Sequence, residues 1–195
     1  MDAAHKLATY ADLLALPEDV KGEVIGGSLV TMPSPRPRHS NVQRALGRYI
    51  GGPFHDDDGF GGPGGWWIFI NVDVALGPHD IVRPDVVGVR RERLPDPDVL
   101  PIPVVPDWIC EVLSPSNAPH DRVTKKRLYA GYGVRWYWIV DPSDRVLEAF
   151  ELRDGLWVNV GVYDETDTAR VLPFDAVELP MPRIFLPRPN RREET

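Results

Sequence analysis

Only one cysteine, Cys110, occurs in the chain, so no internal disulfide can staple the fold. Cys/His pairs at zinc-ligand spacing, a phosphate-binding glycine motif and a nucleophile elbow are all missing. Those absences remove the usual signatures of zinc, P-loop and serine-hydrolase chemistry. No internal repeat is present, which excludes a solenoid. Neither a run of 18 or more apolar residues nor a cleavable N-terminal apolar segment is found, so a soluble protein with no membrane partner is expected. The lone cysteine falls inside a predicted core strand, which fits a reducing, cytoplasmic setting.

Positive charge is also scarce: 22 Lys and Arg face 29 Asp and Glu, for a net charge of -7. That balance argues against a chain that holds nucleic acid chiefly by bulk electrostatics. An acidic protein acting on a phosphodiester would need a divalent cation and a local basic patch, and the composition leaves both open. With 195 residues, 43% of them hydrophobic, the chain can bury one good core. A single domain over residues 1–187 is expected, with a disordered tail over 188–195.

The most informative stretch runs from Asp107 to Asp141, where two apolar runs, WICEVL and VRWYWIV, flank a polar segment. This reads as strand, helix, strand. Alternation along the first strand puts Trp108, Cys110 and Val112 on one face and Ile109, Glu111 and Leu113 on the other, so Glu111 sits among apolar neighbours. In the helix, Pro119 suits the first turn and Gly131 or Gly133 the exit. At helical spacing Leu128, Tyr129 and Tyr132 form a stripe with Lys125 near its middle, while Lys126 and Arg127 fall to the side or behind. A buried carboxylate and a buried ammonium are costly unless paired or bound to metal. A structural ion pair, an Asp121–Lys125 pair at i,i+4 spacing, and a functional site all remain open.

Before that stretch, Thr9 and Asp12 have the spacing of a capping-box-like helix start. GEVIGGSLVTM reads as a hairpin turning at Gly26-Gly27. Glu23 on its first strand reads as an ordinary exposed carboxylate. PSPRPR is a stiff entry to a helix with apolar spacing at Val42, Leu46, Tyr49 and Ile50, and His39 near its start could approach a site but reads more readily as a surface or capping histidine. From Gly51 to Gly65 a glycine-rich mobile loop is expected, whose Asp56-Asp57-Asp58 run lacks the ligand spacing of a calcium loop. WWIFINVDVAL reads as one strand, with Asp73 as a minor site candidate that reads more readily as a structural acid, and HDIVRPDVVGV as a strand made irregular or placed at an edge by Pro84. Asp85 shares a face with Val87 and Val89, a second carboxylate among apolar neighbours. The five-proline RRERLPDPDVLPIPVVP is a loop. DPSDRVLEAFEL and GLWVNVGVY form a hairpin at Asp154-Gly155.

Two carboxylates on neighbouring strands can hold a hard divalent ion through oxygen, and a lysine beside them can steady an attacking water or developing negative charge. RPDVV, ICEVLSPS, DRVTKKRLYAGYGV and YWIVDP, together with GEVIGGSLV and PSPRPRHS, resemble the Uma-type restriction-endonuclease family of the PD-(D/E)xK nuclease superfamily. The likeness runs from about Tyr10 to Tyr163.

The resemblance implies an α/β (α+β) fold: a restriction-endonuclease-like αβββαβ core with a mixed central sheet, an N-terminal hairpin and a C-terminal antiparallel extension. It implies metal-dependent hydrolysis of DNA, with Asp85 and Glu111 holding Mg2+ or Mn2+, the backbone carbonyl of Val112 as a further ligand, and Glu23 as an auxiliary one. The superfamily lysine normally stands two residues after the acid, where this chain has Leu113. In this family it is thought to have moved to the helix, which matches Lys125 as the catalytic amine.

Arg36, Arg38, Arg90, Arg91, Arg122 and Lys126 are the basic side chains expected along the DNA backbone. A homodimer is one assembly the sequence allows, because six tryptophans and long apolar strands leave aromatic surface to cover. The rival reading is a nuclease-fold binding protein that does not cleave, motivated by the acidic charge and the lack of a separate DNA-reading motif.

Overall fold

The structure, a computed structural model, describes residues 6–56, 62–115, 118 and 120–188. Asp57 and Asp58 of the acidic run, Pro119 at the expected helix start and residues 189–195 of the expected tail lie outside them. Arg188, the first residue of that tail, ion-pairs with Glu165.

Local signals in the first fifty residues act as their chemistry dictates. Thr9 opens helix α1 (Tyr10–Leu14), its backbone N–H donating to Asp12 Oδ2 at 2.8 Å. Gly26 and Gly27, at φ 56° and 73°, turn β1 (Lys21–Ile25) back into β2 (Ser28–Met32). Both positions need the left-handed backbone that glycine adopts without steric cost. Helix α2 (Pro37–Leu46) starts on Pro37, where a missing N–H costs nothing, and buries Val42, Ala45 and Leu46. It continues through a π-helical turn (Gly47–Gly51) into short helix α3 (Gly52–His55). The expected loop from Gly51 therefore begins as helix. Ile50 and Phe54 anchor these turns in the core, and that tertiary burial overrides the low helix propensity of glycine.

The run from Trp66 to Leu76 is not one strand. β3 (Trp66–Ile70) stops at Asn71, whose φ is 56°, and β4 (Val74–Gly77) belongs to a different sheet. Asparagine is one of the few residues with a side chain that enters this region readily. β5 (Asp80–Val82) and β6 (Val86–Arg90) are split at Pro84, as its missing N–H predicts. β7 (Trp108–Val112) leads through a π-helical turn (His120–Lys125) into α4 (Lys126–Tyr132), which ends on Gly133 at φ 78°. β8 (Trp136–Asp141), β9 (Val146–Arg153) and β10 (Leu156–Asp164) follow, the last two joined at Asp154-Gly155, both at positive φ.

The main sheet has the order β10-β9-β8-β7-β6-β3. β7 and β8 run parallel and every other neighbouring pair is antiparallel, so the sheet is mixed. The parallel pair is bridged by α4, the crossover that parallel neighbours require. β2-β1-β5-β4 form a second, four-stranded sheet.

Both faces of β7 are buried, which accounts for its almost unbroken apolar sequence. Trp108, Cys110 and Val112 pack with Val42 and Leu46 of α2, while Ile109 and Leu113 pack with Tyr129 of α4 and with Val74 and Val82 of the small sheet. Val87 and Val89 lie in the second cluster, on the side where alternation places Glu111.

Four of the six tryptophans are buried and Trp67 and Trp157 are half-buried, so most of the aromatic surface that motivated a homodimer is covered within the chain. The large apolar side chains that do reach solvent include Leu156 and Val162 on β10. Among the described residues no helix is long and apolar enough to cross a membrane.

Gly88 in β6 marks a close crossing of the core between rigid rings. A Cβ there would lie 3.0 Å from Trp108 Cε3, 3.1 Å from Ile68 Cδ1 and 3.3 Å from Trp66 Cε3. Rigid indole rings cannot yield as a flexible chain end would, so Gly88→Ala should destabilise the protein by about 1–3 kcal/mol. Urea denaturation of the two proteins measures this, and equal midpoints would show that the rings adapt freely.

Candidate active site

Where β7 ends and β6 begins, the two sheets and the two main helices converge on a pocket of about 720 Å³. Its lining includes Asp85, Glu111, Val112 and Lys125, and Glu23 joins them through Lys125. The structure thus brings together every residue expected at the site. Asp73 stands apart: its carboxylate takes a two-pronged ion pair from Arg83 at 2.6 and 2.9 Å, a structural role as expected.

Lys125 is the hub. Only 2% exposed, its ammonium lies 2.8 Å from Glu23 Oε1, 3.0 Å from Glu111 Oε1 and 3.8 Å from Asp121 Oδ1. The bland i,i+4 pair and the longer-range cluster coexist in one arrangement. The π-helical turn seats Asp121 and Lys125 one turn apart, both buried, and such wide turns recur at functional sites. Glu111 Oε1 also accepts the Tyr129 hydroxyl at 2.6 Å, and Glu23 Oε1 accepts the Arg83 backbone N–H at 2.7 Å. Glu23 is fully buried rather than exposed, and its second oxygen, Oε2, has no hydrogen-bond partner.

Asp85 is held by a separate set of donors. Its Oδ2 accepts the Val112 N–H at 2.7 Å, and its Oδ1 accepts Gln43 Nε2 at 2.9 Å and contacts His39 Nε2 at 3.0 Å. His39 is therefore not a surface or capping residue. The reading failed because His39 and Gln43 lie one helical turn apart on α2, and nothing in their spacing says that this face meets Asp85. Gln43 carried no signal beyond that i,i+4 relation. Its amide also donates to Asn71 Oδ1 at 2.8 Å, so the residue that breaks the β3 run also orients an Asp85 ligand.

The electrostatics follow from crowding acids in a place with little water. Burial drives the Glu111 carboxyl well above the usual carboxylate range, and the attraction of Lys125 only partly offsets this. Burial likewise raises Asp121 to about 7, with Asp85 and Glu23 adding repulsion. For Lys125, burial opposes the charge, yet the pull of Glu111, Glu23 and Asp121 outweighs it and the amine titrates well above its ordinary range. Burial works against a charged His39 too, but its hydrogen bond to Asp85 prevails and raises its pKa. On the buried floor four carboxyl groups thus face one lysine and one histidine, while Arg83 is committed to Asp73 and Lys21 and Arg36 are exposed to solvent. The full set of acids cannot ionise here without a further cation, and in its absence part of the set keeps its protons.

No three His, Cys, Asp or Glu side chains among the described residues are arranged as a ready ligand set. Two carboxylates and a main-chain carbonyl are a smaller set, and they match the all-oxygen, water-retaining coordination that Mg2+ prefers. The unpartnered Glu23 oxygen and the surplus of buried acid fit such an ion.

The profile of the Uma2 family, described as "Putative restriction endonuclease", matches residues 7–182. Among solved structures the chain is similar to a "putative nuclease belonging to DUF820" from Anabaena variabilis, with a TM-score of 0.68 and 21% identity. The match covers 91% of this chain and 97% of that one, and it establishes a shared fold. No curated protein matches.

Replacing Lys125 by Met would strand two buried carboxylates, and the expected loss is about 3–5 kcal/mol at pH 7. The deficit should shrink toward pH 5, because the native acids then take up protons that the unfolded chain does not. Urea titrations at both pH values test this, and a loss that does not depend on pH would remove the ion cluster as its cause.

Asp121 gives a second test. The folded protein keeps its proton up to about 7, against an ordinary value of 3.8. Between those values the native state binds more protons than the unfolded chain, so this group's contribution to stability falls as pH rises and then levels off above 7. Asp121→Asn should therefore flatten the decline of Tm between pH 4 and 7. An unchanged slope would show that Asp121 ionises normally in the folded chain.

Proposed function

The chain belongs to the Uma2 family, and from that membership and the surplus of acids in the buried cluster at the pocket floor we propose that it is a metal-dependent endonuclease hydrolysing DNA phosphodiester bonds. The observation that carries this is the meeting of Asp85, Glu111 and Lys125, from a strand start, a strand end and a helix, in one concave site. A fold alone hosts many functions, so the argument rests on these side chains.

Asp85 and Glu111 would hold Mg2+ or Mn2+, with the Val112 carbonyl as a third oxygen and Glu23 as an auxiliary. Once bound, the ion supplies Lewis acidity and a water of lowered pKa. The protein's own share is positioning. Gln43 and His39 aim Asp85, Tyr129 aims Glu111, and Lys125, clamped between Glu23 and Glu111, presents a fixed positive charge to a nucleophile or to a phosphorane-like transition state. Because Lys125 is already held in place by acids, it needs no reordering when the substrate arrives.

The second reading, a nuclease-fold binding protein that does not cleave, draws support from the oxygens of Asp85 and Glu111, which already have partners within the protein. Two measurements separate the readings. Mg2+ or Mn2+ should raise the Tm of the native protein but not of Asp85→Asn or Glu111→Gln. DNA cleavage with those ions should fall by about 100-fold or more in both variants and in Lys125→Ala. A metal-dependent Tm shift without cleavage would favour the binding protein. Cleavage that survives all three substitutions would dismiss the site.

A further inference from the structure

The way the reactive side chains are recessed speaks to the form of the substrate. Glu111, Lys125, Asp121 and Glu23 are at most 4% exposed, so a scissile phosphate must come down into the pocket rather than rest across it. One wall is the proline-stiffened segment that leaves β2, Met32 to Pro35, and the other includes Ser114 and Pro115. At the lining, Lys21 and Arg36 are exposed and form no ion pair among the described residues.

Beyond the mouth, the basic side chains expected along a DNA backbone have other engagements. Arg122 pairs with Glu148 and Asp141, Lys126 sits 3.3 Å over the Phe150 ring, and Arg90 lies 3.9 Å over Trp66. Of the six expected phosphate contacts, only Arg36 lines the pocket. Lys21 joins it without having been anticipated.

A duplex presents its phosphates on a stiff, convex backbone and is bent locally only at a cost of kcal/mol. Reaching a recessed floor would require unpairing and extruding a nucleotide, at a cost of a few kcal/mol that an already unpaired strand does not incur. A long duplex also needs a row of free cations, and this acidic chain offers two at the mouth. Building on the nuclease reading, we propose that the pocket takes an unpaired DNA strand, such as a single strand or flap, with Arg36 and Lys21 holding the phosphates that flank the one at Asp85 and Glu111.

The test compares a labelled single strand, a flapped duplex and a blunt duplex of the same sequence, by anisotropy in Ca2+ and by cleavage in Mg2+ and Mn2+. The single strand and flap should bind at least tenfold more tightly than the blunt duplex and be cut preferentially. Arg36→Ala and Lys21→Ala should each weaken single-strand binding severalfold. Each should also reduce the slope of log K against log salt by about 0.7, the loss of one phosphate contact on a single strand. Arg170→Ala, at an exposed arginine outside the pocket lining, should change neither.

Equal or tighter binding of the blunt duplex would overturn the inference while leaving the nuclease reading intact, as would slopes unaltered in both variants. If no DNA is cut, the nuclease reading fails, and the binding arm still decides the preference for unpaired strand.

Discussion

The buried ammonium of Lys125 is the interaction on which the rest of this site depends. It sits between Glu23 from the hairpin sheet and Glu111 from the central sheet, so a single charge ties two separately built layers together. Removing the amine would leave two acids in a place that solvates neither. Putting them together at all requires a counter-charge, and the amine supplies only part of it. That deficit is the physical basis for the proposal that the pocket takes a cation, since buried ion pairs are by themselves weak evidence for stability.

The fold places this charge at the sheet end, where strands stop and side chains gain room. β7 and β6 run antiparallel, so the end of one adjoins the start of the other, and Glu111 and Asp85 become neighbours although they are far apart in sequence. α2 and α4 pack on opposite faces, yet both reach this end: His39 and Gln43 arrive from one side, Lys125 and Tyr129 from the other. The break at Asn71 belongs to the same design. A continuous strand there would have carried the chain past the site, whereas the left-handed turn leaves Asn71 beside Gln43 and sends β4 into the second sheet.

Much of this was legible from local chemistry. Alternation along β7 separated Glu111 from Trp108 and Cys110, helical spacing singled out Lys125 among three consecutive basic positions, and Gly26-Gly27 and Asp154-Gly155 marked the two hairpins. The misreadings share a cause. Glu23 and His39 are polar residues whose burial is decided by what packs over them from distant parts of the chain. The glycine-rich start of the predicted loop became helix because Ile50 and Phe54 found a core to enter.

Sequence alone determined most of the element order, the faces of the main strands and helices and which acids and which amine were candidates for the site, because periodicity and turn chemistry act over a few residues. Tertiary structure alone decided which acids share one amine, which donors aim Asp85 and how deep the floor lies. Those outcomes depend on distances between elements that no local pattern encodes, and on a charge balance that exists only once water has been excluded.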